Sequence, residues 1–195
     1  RVIVSQLHRS PGVIFEENIH PNGTHLNSSR IIPFRGSWVE FTLDIREVCH
    51  VHIDKKKKFP VTALLRALGY GTDEELYQLF FDVGEVALSE EDKGGDPRLL
   101  GKVLAEDIAD EESGEVIAEK CTEIDEDVYG RLERAGRKKV KVYVSTAEDA
   151  RGETPVVKAT IAKDPTSSEE EALHSIYSLL RPGEAPNLKT AREAL

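Results

Sequence analysis

The sequence of 195 residues contains no methionine, a single tryptophan, two cysteines and only 6% aromatic residues. Each shortage excludes something. Without methionine, initiator included, the chain reads as a segment of a longer one. Two cysteines far apart, Cys49 and Cys121, rule out a disulfide-dense secreted scaffold, and Cys49, alternating with apolar residues, reads as a reduced buried thiol; the cytosol is the expected compartment. The apolar runs are far too short to span a bilayer, and no signal peptide is visible. There is no CxxC or HExxH pair and no glycine-rich loop leading to a lysine and a hydroxyl. Ser10 and Ser37 lack a nucleophile-elbow context. The acidic residues lie in runs typical of solvated faces, and nothing singles out an acid–base pair. No catalytic residue, bound cofactor or metal site is expected.

Charge is present but uneven. The net charge is -10; residues 1–70 hold ten Lys/Arg and six Asp/Glu, for +4, and the remainder carries -14. A grip on nucleic acid by the whole molecule is not expected, whereas a local basic face in the first third is.

The informative stretch is Arg30 to Lys58. Val39, Phe41, Leu43 and Ile45 alternate with Trp38, Glu40, Thr42 and Asp44, then Cys49, Val51 and Ile53 with His50, His52 and Asp54. Both segments read as strands with one apolar and one polar face, joined as an antiparallel hairpin. The apolar faces coincide if the hairpin is centred on Arg46. That register sets Phe41 opposite Val51, Val39 opposite Ile53, Glu40 opposite His52 and Trp38 opposite Asp54. The only tryptophan thus lies on the polar face beside a carboxylate, just before the run Lys55–Lys58. Lysines at a strand end discourage edge pairing; with Trp38, Arg35 and Arg9 they also suit phosphate contact and base stacking. His50 and His52 share a face, but two ligands do not make a metal site, and they read as satisfied surface histidines.

Elsewhere, residues 1–7 and Val13–Phe15 are expected as short strands, with Pro21-Asn22-Gly23 as a turn. Asn27-Ser28-Ser29 matches a glycosylation pattern that has no meaning without secretion. A helix is expected after Pro60 with the stripe Val61, Leu64, Leu65 and Leu68, and a second after Thr72 burying Leu76, Leu79 and Phe80, the two forming an αα-hairpin. Residues 82–98 read as an aperiodic internal boundary. A hairpin is expected around Gly114, a helix over Asp125–Arg134, strands over Lys139–Ser145 and Pro155–Lys163, and a helix after Ser168 burying Leu173, Ile176, Leu179 and Leu180. The class is α+β, mostly antiparallel sheets with short helices.

Three segments, Val2–Phe15, Arg30–Phe41 and His52–Tyr70, with Gly101–Glu119 and Tyr177–Pro186 following in the same order, resemble the lobe (beta2) domain of the bacterial DNA-directed RNA polymerase beta subunit. The resemblance covers nearly the whole chain and is weak at 82–98 and 146–166; it corresponds to a form without the large insertion of some relatives. It implies the beta lobe fold over 1–195 as a fragment of that subunit, in a cytoplasmic, nucleoid-associated enzyme. It implies a non-catalytic wall of the DNA cleft, partnered by the rest of beta, the other subunits and non-template DNA. Magnesium belongs to another subunit of the whole nucleotidyltransferase. It further implies a guanine pocket in the non-template path. There Trp38 stacks on the neighbouring base, Asp54 accepts from the guanine edge, Arg9 and Arg181 supply charge, and Lys55 and Lys56 lie nearby; Lys55 stands where arginine is common. Arg181, Pro182, Gly183, Glu184, Ala185, Pro186 and Asn187 would form a gate loop that docks a NusG-type elongation factor, with Ala185 where several relatives have proline. Val4 and Gln6 would edge a rifamycin pocket completed by a later part of the subunit, as the guanine pocket also would be. The alternative is a protein-docking module that never meets nucleic acid.

Overall fold

The computed structural model describes residues 1–5, 9–54, 56–88, 98–109, 114, 116–145, 155–185 and 187–194. The chain divides into two compact units. One is built from residues 1–69 and 156–195, the other from 70–155.

The first unit is organised on a five-stranded antiparallel sheet in sequence order: β1 (Gly12–Ile19), β2 (His25–Ile32), β3 (Val39–Leu43), β4 (Cys49–Ile53) and β5 (Phe59–Pro60). The strand expected at Val13–Phe15 is thus the start of an eight-residue strand. Its polar continuation pairs with β2 around Pro21-Asn22-Gly23, where Gly23 takes φ +86° and donates its amide to the His20 carbonyl. Residues 1–5, expected to start a strand, are exposed and carry no regular structure.

The β3–β4 register is the one deduced from alternation. Val39 faces Ile53, Glu40 faces His52 and Phe41 faces Val51; the Asp54 amide donates to the Trp38 carbonyl at 3.0 Å. The Asp44 carboxylate closes the turn by accepting from the Arg46 and Val48 amides at 2.8 and 3.0 Å. Ile45, expected on the apolar face, is exposed in that turn.

The apolar face is covered by α1 (Val61–Ala67), α5 (Glu169–Leu180) and α6 (Leu188–Ala194). Val51, Phe59, Ala63, Ala67, Leu173 and Ile176 are buried together, with Val39, Phe41 and Ile53 at the margin. The buried face of α1 is Thr62, Ala63, Arg66 and Ala67, not the expected leucine stripe, and Leu68 is exposed. Two alanines let α1 approach closely, and Arg66 is drawn inward by Asp164, whose side chain is fully buried. The Asp164 carboxylate also accepts from the Thr62 hydroxyl at 2.6 Å and from the amide and hydroxyl of Thr166 at 2.9 and 2.6 Å. Ser168 caps α5, whose buried residues are Ala172, Leu173, Ile176 and Tyr177; Leu179 and Leu180 pack only at the edge.

Pro155–Lys163, expected as a strand from its valines, is the helix α4. Proline in the first turn suits a helix start. The Thr160 hydroxyl donates to the Val156 carbonyl one turn back and accepts from the Cys49 amide at 3.0 Å, so tertiary contact overrides β-propensity.

The second unit begins with α2 (Asp73–Phe80), whose Thr72 and Glu75 form a capping box. Leu76 and Tyr77 are its buried residues; Leu79 and Phe80, expected inside, are largely exposed because Tyr77 takes the inner position, stacked on Tyr143 at 5.0 Å. The two helices expected as an αα-hairpin, α1 and α2, fall in different units. Within the stretch read as aperiodic, Phe81–Ala87 is β6, paired antiparallel with β9 (Lys139–Ser145); residues 89–97 lie outside the described ones. A short hairpin of β7 (Ile108–Ala109) and β8 (Val116–Ala118) has Gly114 at φ +70°. Helix α3 (Glu126–Arg134) is capped by Asp125, ends before Gly136, and buries Val128, Tyr129 and Leu132. These join Leu99, Leu104, Val140 and Val142 in a separate core.

No helix among the described residues is long and apolar enough to cross a membrane.

Candidate nucleic-acid interface

On β3 and β4 the polar positions share the face opposite the core. Trp38, half-buried, lines a depression of about 260 Å³ together with Gly36, Glu40 and Asp54. Gly36 sits in the β2–β3 connection at φ +131°, a conformation that suits glycine. Asp54 ends β4 at φ +49°, a left-handed conformation that aspartate tolerates better than most residues. The turn this makes, closed by the Lys56 amide on the Ile53 carbonyl at 3.0 Å, presents an exposed carboxylate beside the indole. Arg9 comes from the segment before β1, its guanidinium carbon 5.5 Å from the Trp38 ring centre, within cation–π range. Lys56 is exposed; Lys55 lies outside the described residues.

Three of the four expected pocket residues, Arg9, Trp38 and Asp54, are therefore neighbours. Arg181 is not among the described residues lining the depression. It ends α5, donates its amide to the Tyr177 carbonyl at 2.8 Å, and places its guanidinium 3.6 Å from the Glu184 carboxylate. Glu184 also accepts from the Tyr177 hydroxyl at 2.6 Å, a bond that pushes the phenol above its ordinary pKa, with burial adding to it. Residues 181–185 form an exposed turn with Gly183 at φ +96°; Asn187 is exposed and accepts from the Lys189 amide, and Pro186 lies outside the described residues.

A sequence model of the family described as "RNA polymerase Rpb2, domain 2" matches residues 9–112, more than half of the chain. The chain belongs to this family. It is similar over its full length to proteins named DNA-directed RNA polymerase subunit beta. Identity is 45% over 196 residues with that of Chlorobium chlorochromatii (strain CaD3) and 45% over 195 with that of Chlorobaculum tepidum, each alignment covering 15% of the relative. It is 43% over 212 residues with that of Salinibacter ruber, covering 16% of it. The chain thus spans about 15% of the length of the curated relatives it matches. All of Arg9, Trp38 and Asp54 fall inside the matched Rpb2 domain 2 region; Arg181 does not.

Sequence reasoning missed Arg30. It projects from β2 directly opposite Glu40, its Nε 2.9 Å from the Glu40 carboxylate and its Nη1 3.5 Å from that of Glu16. Its guanidinium carbon lies 5.9 Å from the Trp38 ring centre. The signal was in the alternation, but it becomes readable only once residues 25–32 are known to be a strand.

His50 corrects the reading of the two histidines. It is buried, at 8% exposure, its Nδ1 has no hydrogen-bond partner, and the nearest carboxylate oxygen, on Asp44, is 3.9 Å away. Only His52, half-buried opposite Glu40, resembles the expected surface residue. Among the described residues no three His, Cys, Asp or Glu side chains group to hold a metal ion. Burial, then the Lys58 charge, lowers the His50 pKa below its ordinary 6.5, against the pull of Asp44. The neutral form is therefore the folded form. Its contribution is fully present above pH 6.5 and is lost as the pH falls from there toward the lowered folded value, because the unfolded chain takes up the proton first. Urea midpoints measured at pH 7.5 and 5.5 should show a drop in the native chain that is smaller in His50→Gln; equal drops in both would refute this.

Both cysteines are free thiols. Cys49 is half-buried rather than a core residue, since it borders the β3–β4 turn. Burial raises both pKa values, that of Cys121 to about 11, so neither is a poised nucleophile.

Proposed function

We propose that this Rpb2 domain 2 serves as a non-catalytic wall of the DNA channel in a bacterial RNA polymerase, its β3–β4 polar face contacting the non-template strand and accepting an unstacked guanine. One observation carries the reading: an indole and a carboxylate line a depression on the sheet face turned away from the core, and a guanidinium lies within cation–π range of that indole. Trp38 offers a stacking surface, Asp54 an acceptor for the N–H groups of a guanine edge, and Arg9 a cation. Lys56 and its exposed neighbours supply phosphate contact, and Lys55 is assigned with them. Arg181 joins the pocket on this reading by turning from Glu184 toward the DNA. The first third of the chain is basic where the remainder is acidic, which supports a local contact. Magnesium chemistry belongs to another subunit, and no residue here is assigned to it.

The exposed loop from Arg181, braced by the Tyr177–Glu184 bond, supports a second role as a docking point for a NusG-type elongation factor, offered by Pro182, Gly183, Glu184, Ala185 and Asn187, with Pro186 assigned to the same role. Val4, 86% exposed, is open to contribute to a rifamycin-pocket edge with Gln6, which lies outside the described residues.

The test is complex lifetime on bubble templates differing at one non-template position, with assembled polymerase. Trp38→Ala should weaken retention by about 1–3 kcal/mol, the worth of a base–aromatic stack, without opening a core cavity. Asp54→Asn, chosen because asparagine also tolerates the left-handed backbone, should cut guanine preference more than total affinity. Lys56→Ala should weaken all templates equally and reduce the salt dependence. Full guanine preference in Asp54→Asn would remove the pocket assignment; wild-type behaviour in all three would leave the docking role as the better reading.

A further inference from the structure

We propose that Arg30 is a positioning residue of this face: clamped by Glu40 and Glu16, it fixes the Trp38 indole in place and keeps the Glu40 charge from acting in the depression. The second half rests on the reading that Trp38 and Asp54 meet a base.

Three observations combine. Arg30 is 23% exposed at its side chain and bridges two carboxylates on neighbouring strands, Glu40 at 2.9 Å and Glu16 at 3.5 Å. Its place in the ladder is set by backbone pairing, with Ile14 on one side and Glu40 on the other. Its guanidinium plane therefore has little freedom, and that plane lies 5.9 Å from the Trp38 ring centre. A planar cation locked by two carboxylates is a better brace for an aromatic ring than a lysine ammonium, which has no plane to present. Arg9, at 5.5 Å, is the contrast: its side chain is exposed and it comes from a segment without regular structure. Arg30 belongs to the built site, and Arg9 to its rim.

The charge argument follows from the lining. Glu40 and Asp54 both border the depression. Two uncompensated carboxylates there would repel a nucleic-acid backbone and offer two competing acceptors to a base. Arg30 satisfies Glu40 within the sheet. Asp54 has no ion-pair partner among the described residues, so it is left as the acceptor that discriminates.

The experiment uses assembled polymerase carrying 5-fluorotryptophan, with the Trp38 fluorine resonance identified by its absence from a Trp38→Phe variant. In DNA-free enzyme, Arg30→Met should shift or broaden that resonance, and Arg30→Lys should do so less, since the charge stays while the planar fork is lost. On the bubble templates, Arg30→Met should lower guanine preference about fivefold and weaken retention on every template. Adding Glu40→Gln to Arg30→Met should restore the template-independent part and leave the fluorine shift in place. Combining Arg30→Met with Trp38→Ala should cost less than the sum of the two losses. An unchanged Trp38 resonance in both Arg30 variants overturns the proposal whatever the DNA results. If the resonance moves but Trp38→Ala itself has no effect on any template, the positioning role stands and the base-contact reading fails.

Discussion

Asp164→Ala should cost this chain about 3–5 kcal/mol of unfolding free energy, the scale of breaking a buried ion pair from one side. The carboxylate is wholly buried and meets Arg66, itself only 3% exposed at its side chain, at 3.4 Å. It also receives the Thr62 hydroxyl and both donors of Thr166. Removing it strands three donors and takes a carboxylate from a buried guanidinium, in a place water does not reach. Asp164→Asn should fall between, because the amide keeps one acceptor oxygen but not the charge. Replacing both partners, as Arg66→Met with Asp164→Leu, should recover only the part of that loss due to the guanidinium's missing carboxylate, since the Thr62 and Thr166 donors stay stranded. Urea titrations of the chain decide it: a loss under about 1 kcal/mol for Asp164→Ala would show that the cluster does not hold α1 to the segment between α4 and α5.

Leu132→Ala should cost about 2–5 kcal/mol, the range for emptying a leucine site in a packed core. Leu132 is fully buried on α3 among Leu99, Val128, Tyr129 and Val140. The two core clusters share no residue, so the damage should be confined. Hydrogen exchange should quicken in α3 and β9 far more than in β3 and β4. Uniform acceleration across all four elements would mean that the two units open together.

What was legible in the sequence follows from range. The β3–β4 register could be read because two alternating segments joined by a short turn have only one pairing that buries both apolar faces. The same alternation sets Trp38 beside Asp54. The inner face of α1 could not be read, because its deciding partner, Asp164, lies nearly a hundred positions later; without it Arg66 looks like a surface residue and the leucines look like the core. Helix α4 was hidden for a like reason, its Thr160 hydroxyl being useful only once Cys49 is alongside. Arg30 was passed over because the polar sequence of β2 conceals its strand. Local alternation carried the site, and long-range polar contacts carried what it missed.

The division of the chain has a consequence for its birth. The sheet is encoded in residues 1–69, but the helices that cover its apolar face, α5 and α6, come after residue 155. At roughly 5–20 residues per second of synthesis, the ribosome needs several seconds to make the intervening unit. During that interval Val51, Phe59 and Ala63 lack the α5 and α6 part of their cover, whereas residues 70–155 hold their own core in one continuous stretch. The unit of residues 70–155 should therefore be the first to finish, with the apolar face of the five-stranded sheet closed last, and a chaperone that guards nascent apolar strands has its window there.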